Sequence, residues 1–165
     1  MGLNIIWVTE CQGPIEYALW KTEVGNLLLT YQGEVMLASD WVTETNLPQP
    51  LSSPNLLKTL EHYWHAPSTS VDLHCLRQGS SYRQKVWTEL CNIPFGSTLT
   101  YAALARKLDS SARAVGNACR DNPFPLLVPC HRVIAANGLG GYCGDTTGSY
   151  MHIKRQLLSY ESQLS

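Results

Sequence analysis

The passage Asn122-Pro123-Phe124-Pro125-Leu126-Leu127-Val128-Pro129-Cys130-His131-Arg132-Val133 restricts the fold of this chain more than any other stretch. Its three prolines lack amide hydrogens and fix φ, so no helix can run through it, and the backbone is predicted to be extended. Cys130 therefore sits on a stiff segment. Nearby positive charge lowers a thiol's pKa from about 8.5 toward neutrality, and His131 and Arg132 are its neighbours in sequence, which predicts a nucleophilic thiolate. Adjacent side chains on an extended chain point apart, so a bridging water is the expected proton route between Cys130 and His131. Taken alone, a Cys-His dipeptide reads first as a buried structural thiol.

The chain has 165 residues, of which 44% are hydrophobic and 15% charged, a composition that supports one core or two small ones. No apolar run approaches the roughly 18 residues that span a bilayer. The N-terminus lacks a secretory pattern, and Ile6 stands where myristoylation needs Ser or Thr. The expectation is a cytoplasmic protein with no membrane partner and with reduced thiols at Cys11, Cys75, Cys91, Cys119, Cys130 and Cys143. No C-x-x-C pair occurs, which excludes a zinc ribbon or thioredoxin-like motif. His62 and His65 lie three apart and His74 adjoins Cys75, but without a further spaced pair they read as surface or core histidines. Neither a metal nor a cofactor is expected.

Charge divides the chain near residue 75. Residues 1–75 hold two bases against eight acids, net −6, and residues 76–165 hold ten bases against five acids, net +5. An acidic half joined to a basic half fits a molecule whose C-terminal part faces a polyanion; chance partition of surface charge is the alternative. The predicted fold is α+β: a small N-terminal antiparallel sheet with a helix over residues 1–75, and a mainly helical domain over 76–165. Ile15–Trp20 and Leu27–Tyr31 are strand-like, with turns at Gly25-Asn26 and Gln32-Gly33 before Glu34–Leu37. After the proline-bearing loop 47–54, Ser53 is placed to cap a helix with Leu57, Leu60 and Trp64 on one face. In the second half Ser81-Tyr82-Arg83-Gln84 reads as a capping box, and Pro94-Phe95-Gly96 stops the helix it opens. Thr100 can cap a helix to Leu108, and Ser111 one to about Arg120, a helix-turn-helix candidate.

Several ordered motifs surround Cys130. They are Lys85-Val86-Trp87, Ile93-Pro94-x-Gly96, Thr100-Tyr101-Ala102-Ala103-Leu104-Ala105, Arg113-Ala114-Val115-Gly116-Asn117-Ala118, Asn122-Pro123, Pro129-Cys130-His131-Arg132-Val133, Gly140-Gly141-Tyr142 and Lys154-x-x-Leu157-Leu158-x-x-Glu161. From about Tyr82 to Glu161 the chain resembles the O6-alkylguanine-DNA alkyltransferases, the methylated-DNA–protein-cysteine methyltransferases. Residues 1–75 match only in general shape. The resemblance implies single-turnover repair of double-stranded DNA carrying O6-alkylguanine by a monomer, with Cys130 as acceptor thiolate. It implies that His131 passes the Cys130 proton through water, that Glu161 partners His131, and that Asn122 ties the network to the backbone. Tyr101 would protonate the departing guanine, and Arg113 would enter the stack where the damaged nucleotide rotates out. Ala114, Gly116, Asn117 and Arg120 would share the DNA-facing helix, and Pro125, Tyr142 and Cys143 would line the alkyl pocket.

The small residues of that helix suit close approach to a minor groove, or equally a tight helix–helix contact. Cys143 stands where related sequences carry a small residue such as Ser or Ala; a disulfide to Cys130 is expected if their Cα atoms lie within about 4.4–6.8 Å. Two rivals are a non-catalytic alkyltransferase-like protein, which lacks the acceptor cysteine, and a papain-type thiol hydrolase, whose Cys and His come from distant sequence.

Overall fold

Leu27, Leu29 and Tyr31 are buried while the residues between them are less so, and this period of two makes Gly25–Gln32 a strand with one face on a core. In the computed structural model, which describes residues 2–165, it is the third strand of a five-stranded sheet. The strands are β1 (Gly2–Val8), β2 (Ile15–Thr22), β3 (Gly25–Gln32), β4 (Val35–Val42) and β5 (Ser70–Leu76), in spatial order β1-β5-β4-β3-β2. Tight turns join β2 to β3 and β3 to β4 as an antiparallel meander. The sheet is mixed rather than antiparallel throughout, because β5 pairs parallel with both β1 and β4. A parallel pair needs a long crossover, and residues between β4 and β5 supply it with α1 (Asn55–His65).

Helix α1 buries Leu60, Tyr63 and Trp64. Its cap position is Pro54, with no side-chain cap bond, so the cap expected of Ser53 is absent. Trp64 meets Trp20 of β2 edge to face, with ring centroids 5.9 Å apart. His65 pairs with Glu61 at 3.1 Å and His62 faces Thr69 at 3.3 Å, both exposed. Among the described residues no cluster of three or more His, Cys, Asp or Glu side chains is arranged to hold a metal ion, and no helix is long and apolar enough to cross a membrane.

The first compact unit ends at Gln78, beyond the expected division at residue 75, because β5 itself runs to Leu76. The second, Gly79–Ser165, carries α2 (Ser81–Leu90), α3 (Tyr101–Lys107), α4 (Ala112–Arg120) and α5 (Ser149–Leu164), with a two-residue parallel pairing of β6 (Leu99–Thr100) and β7 (Val133–Ile134). Helix α2 is capped one residue earlier than the sequence pattern indicates: Ser80 accepts from the Arg83 amide, and Gln84 turns inward. Thr100 and Ser111 cap α3 and α4 as expected, accepting from the amides of Ala103 and Ala114. Between these helices Asp109 takes a positive φ of 52°, which closes the turn. Trp87 of α2 is buried and donates to the Ala118 carbonyl at 2.8 Å, which locks α2 to α4.

Leu29 is fully buried in the middle of β3. Leu29→Ala is expected to cost about 2–5 kcal/mol in urea unfolding followed by tryptophan fluorescence. A loss below about 1 kcal/mol would contradict the packing described.

Candidate active site

Between α4 and the 3-10 turn Cys130–Arg132, the proline-bearing passage is a series of clamped turns rather than an extended strand. The Asn122 side chain holds it: its Oδ1 accepts from the Phe124 amide and its Nδ2 donates to the Val128 carbonyl, both at 2.9 Å. Leu126 sits at φ +72° inside that bracket. Pro129, at φ −81° and ψ 63°, is the centre of an inverse γ-turn in which the Cys130 amide donates to the Val128 carbonyl at 2.8 Å. No proline follows Cys130, so the next residues close the 3-10 turn, with the Arg132 amide donating to the Pro129 carbonyl at 3.1 Å.

The turn sends His131 and Arg132 to the same carboxylate. His131 Nε2 lies 2.5 Å from Glu161 Oε2; Arg132 gives its Nε to Oε1 at 2.7 Å and a terminal nitrogen to Oε2 at 3.2 Å. The Gly96 amide adds a bond to Oε1 at 3.3 Å. Arg132 also donates to the Ile93 carbonyl at 2.8 Å and lies 5.5 Å from the centroid of Phe95. Burial by itself would raise the Glu161 pKa, yet His131 and Arg132 together bring it down to about 2. Burial lowers the pKa of His131 despite Glu161, so the ring is neutral. With Nε2–H given to the carboxylate, Nδ1 is the acceptor, and it is the one buried side-chain polar atom without a hydrogen-bond partner among the described residues.

Cys130 does not behave as its sequence neighbours imply. It is 4% exposed, and burial raises its pKa, opposed by a hydrogen bond from Asn122 and the charge of Lys154. The resting sulfur is a thiol rather than the expected thiolate, because Arg132 is spent on Glu161 and His131 is uncharged. The cation facing it is Lys154, whose part in the site the sequence reading missed. From α5 the Lys154 ammonium donates to the carbonyls of Val133, Leu139 and Gly141 at 2.7, 2.6 and 2.8 Å, and burial pulls its pKa down to about 8. The signal was its place on the face of α5 that buries Met151, Leu157 and Glu161.

Cys130 is part of the wall of a cavity of about 420 Å³, a size typical of small-molecule sites. Its lining includes Arg113, Gly116, Cys119 and Arg120 of α4 and the segment Gly141–Thr146. Tyr142 and Asp145 exchange two backbone hydrogen bonds around Cys143 and Gly144, whose φ values of 51° and 86° make a two-residue turn of the primed type. Tyr142 lies edge to face with His131, centroids 6.4 Å apart. Tyr101 also lines the cavity, its hydroxyl donating to the Gly141 carbonyl at 3.4 Å and its pKa pushed up to about 12 by burial. Gly140, at φ +73°, has no room for a side chain: a Cβ would lie 2.7 Å from the Tyr101 ring.

Asn122, His131 and Glu161 stand behind the cavity rather than in its wall, and Pro125 is buried in the passage leading to Cys130, outside the lining. Arg113, Asn117 and Arg120 are exposed on α4, with Ala114 and Gly116 half-buried. A Cβ on Gly116 would meet nothing within 4 Å, so packing inside the protein does not require glycine there.

This geometry belongs with a known class. Residues 81–163 match the family model described as 6-O-methylguanine DNA methyltransferase, DNA binding domain. The methylated-DNA–protein-cysteine methyltransferase of Metallosphaera sedula is 34% identical over 153 residues, covering 91% of this chain and 95% of that one. The crystal structure of the Mycobacterium tuberculosis O6-methylguanine methyltransferase is similar with a TM-score of 0.76 at 32% identity, over 92% of this chain and 95% of that one. The structure of Mycobacterium tuberculosis OGT in complex with DNA is similar at 0.74 and 32% identity, over 91% and 94%. The chain belongs to the methylated-DNA–protein-cysteine methyltransferase family.

The carboxylate contributes stability through its depressed pKa. That contribution is complete above the ordinary carboxylate value of 4.5 and is lost as pH falls through about 2, an amount on the order of 3 kcal/mol. Glu161→Gln is expected to flatten the fall in stability between these limits, and to destabilise the protein at neutral pH by about 3–5 kcal/mol because Arg132 loses its counter-charge. Denaturant titrations at a series of pH values read both; an unchanged slope below pH 4.5 would contradict the assignment.

Proposed function

We propose that this protein repairs DNA by direct reversal, taking the alkyl group from O6-alkylguanine in duplex DNA onto Cys130 in a single, irreversible turnover. The observation that carries the reading is a buried cysteine in the wall of a base-sized cavity, backed by a neutral histidine whose Nδ1 has no partner. The Cys130 proton leaves through a water to His131 Nδ1, and Glu161 stabilises the imidazolium that results. Lys154 and the Asn122 amide stabilise the thiolate. The sulfur attacks the alkyl carbon, the carbon–O6 bond breaks, and its electron pair passes to the purine. Tyr101 then protonates the departing ring. Its raised pKa keeps that proton available at neutral pH. The product thioether has no hydrolytic exit, so each molecule acts once.

A base stacked in a duplex cannot meet this sulfur in line, so the nucleotide turns out into the cavity. We read α3 and α4 as a helix-turn-helix whose second helix lies in the minor groove, with Arg113 filling the gap in the stack and Asn117 and Arg120 on the same exposed side. The open space at Gly116 supports close approach of a surface from outside the molecule. The reading also takes the protein to act as a monomer in the cytoplasm, with Tyr142 and Cys143 shaping the alkyl pocket.

Mixing the protein with a duplex containing O6-methylguanine is expected to add one methyl group by intact mass, with none on Cys130→Ser. Repeated turnover, or no adduct on the wild type, would overturn the reading. Gly116→Ala separates DNA contact from folding. It is expected to raise stability by up to about 1 kcal/mol, because glycine is a poor helix former, while weakening duplex binding in a fluorescence anisotropy titration. Unchanged duplex affinity would remove α4 from the interface.

A further inference from the structure

The cavity holds more sulfur than one acceptor requires. Cys119 from the last turn of α4, Cys130 and Cys143 all line it, and none of the three is disulfide-bonded. Cys119 and Cys130 are buried, while Cys143 is half-buried. Asn122 brackets the buried pair: its amide N–H donates to the Cys119 carbonyl at 3.3 Å, its Nδ2 donates to the Val128 carbonyl at 2.9 Å, and its side chain hydrogen-bonds Cys130. The Lys154 ammonium is electrostatically coupled to the ionised form of each of the three sulfurs.

We infer that Cys119 is a resolving thiol for Cys130, so that peroxide entering the cavity converts the acceptor to a reversible Cys119–Cys130 disulfide. This goes beyond alkyl transfer and concerns the protein before it meets DNA. The Cys130 thiolate takes one oxygen from the peroxide, giving a sulfenic acid and releasing one water. The Cys119 sulfur then attacks the Cys130 sulfur, the S–O bond breaks, and a second water leaves; two thiols are oxidised and one peroxide is reduced. The order follows from charge. Burial raises the Cys119 pKa, an ionised Cys130 raises it further, and Lys154 opposes both. Conversion of Cys130 to the neutral sulfenic acid removes that repulsion, so Cys119 loses its proton more readily than before, with the ammonium offsetting part of the cost of burial. The disulfide stops alkyl acceptance and shields the acceptor from irreversible oxidation.

The test treats the full-length protein with a few equivalents of hydrogen peroxide, followed by non-reducing peptide mapping, intact mass, and methyl acceptance before and after a dithiol reductant. In the wild type and in Cys143→Ser, the peptides of Cys119 and Cys130 are expected to be linked, and acceptance to return on reduction. In Cys119→Ser, Cys130 is expected to gain two or three oxygens and acceptance to stay lost. Linkage of Cys130 to Cys143, equal over-oxidation of Cys130 in wild type and Cys119→Ser, or an unreacted Cys130 would each overturn the proposal. The wild-type map decides the pairing whether or not a variant folds. Because each acceptance value is compared with the same protein before oxidation, failure of the disulfide is distinct from failure of alkyl transfer.

Discussion

The Glu161 carboxylate organises the active unit. It comes from the last helix and is gripped by two consecutive residues of the 3-10 turn, His131 through Nε2 and Arg132 through two nitrogens. A carboxylate and a guanidinium this deep are costly to desolvate, and breaking one partner leaves the other charged and stranded. The same tie fixes the tautomer of His131, so the group that docks α5 also decides which imidazole nitrogen is free to accept a proton. Architecture and acid–base chemistry share one group.

How much of this was legible in the sequence depended on whether the deciding contact was local. Helices α3 and α4 were readable to within a residue, because Thr100 and Ser111 cap through their own neighbours' amides, whereas α5 was not identified as a helix. The meander β2-β3-β4 was readable from its turns. Strands β1 and β5 were not identified, although Val71, Leu73 and Cys75 alternate inward, because their pairing is parallel and lies far apart in sequence. The proline passage was correctly denied an α-helix but wrongly drawn as extended, since proline composition does not reveal that Asn122 would clamp it into turns or that Cys130–Arg132 would close a 3-10 turn.

The site shows the same division. Every residue assigned to it through the family resemblance lies in the second unit, and most gather on the cavity or directly behind it. The reading of electrostatics from neighbours in sequence failed. Arg132 and His131 adjoin Cys130 in the chain yet turn to Glu161, and the cation that matters arrives from another helix. For Gly116 the sequence left helix packing and close external approach equally open, and the empty space above it favours the second.

Lys154 has a wider consequence. Three carbonyls from a single stretch of backbone converge on its ammonium, so the strand end and the loop beneath the cavity wall hang from one compact point charge. A flat guanidinium cannot satisfy that convergent geometry, and a neutral side chain would slacken the loop while it altered the sulfur's surroundings. Any substitution at Lys154 therefore changes the sulfur's electrostatics and the enclosure around it together.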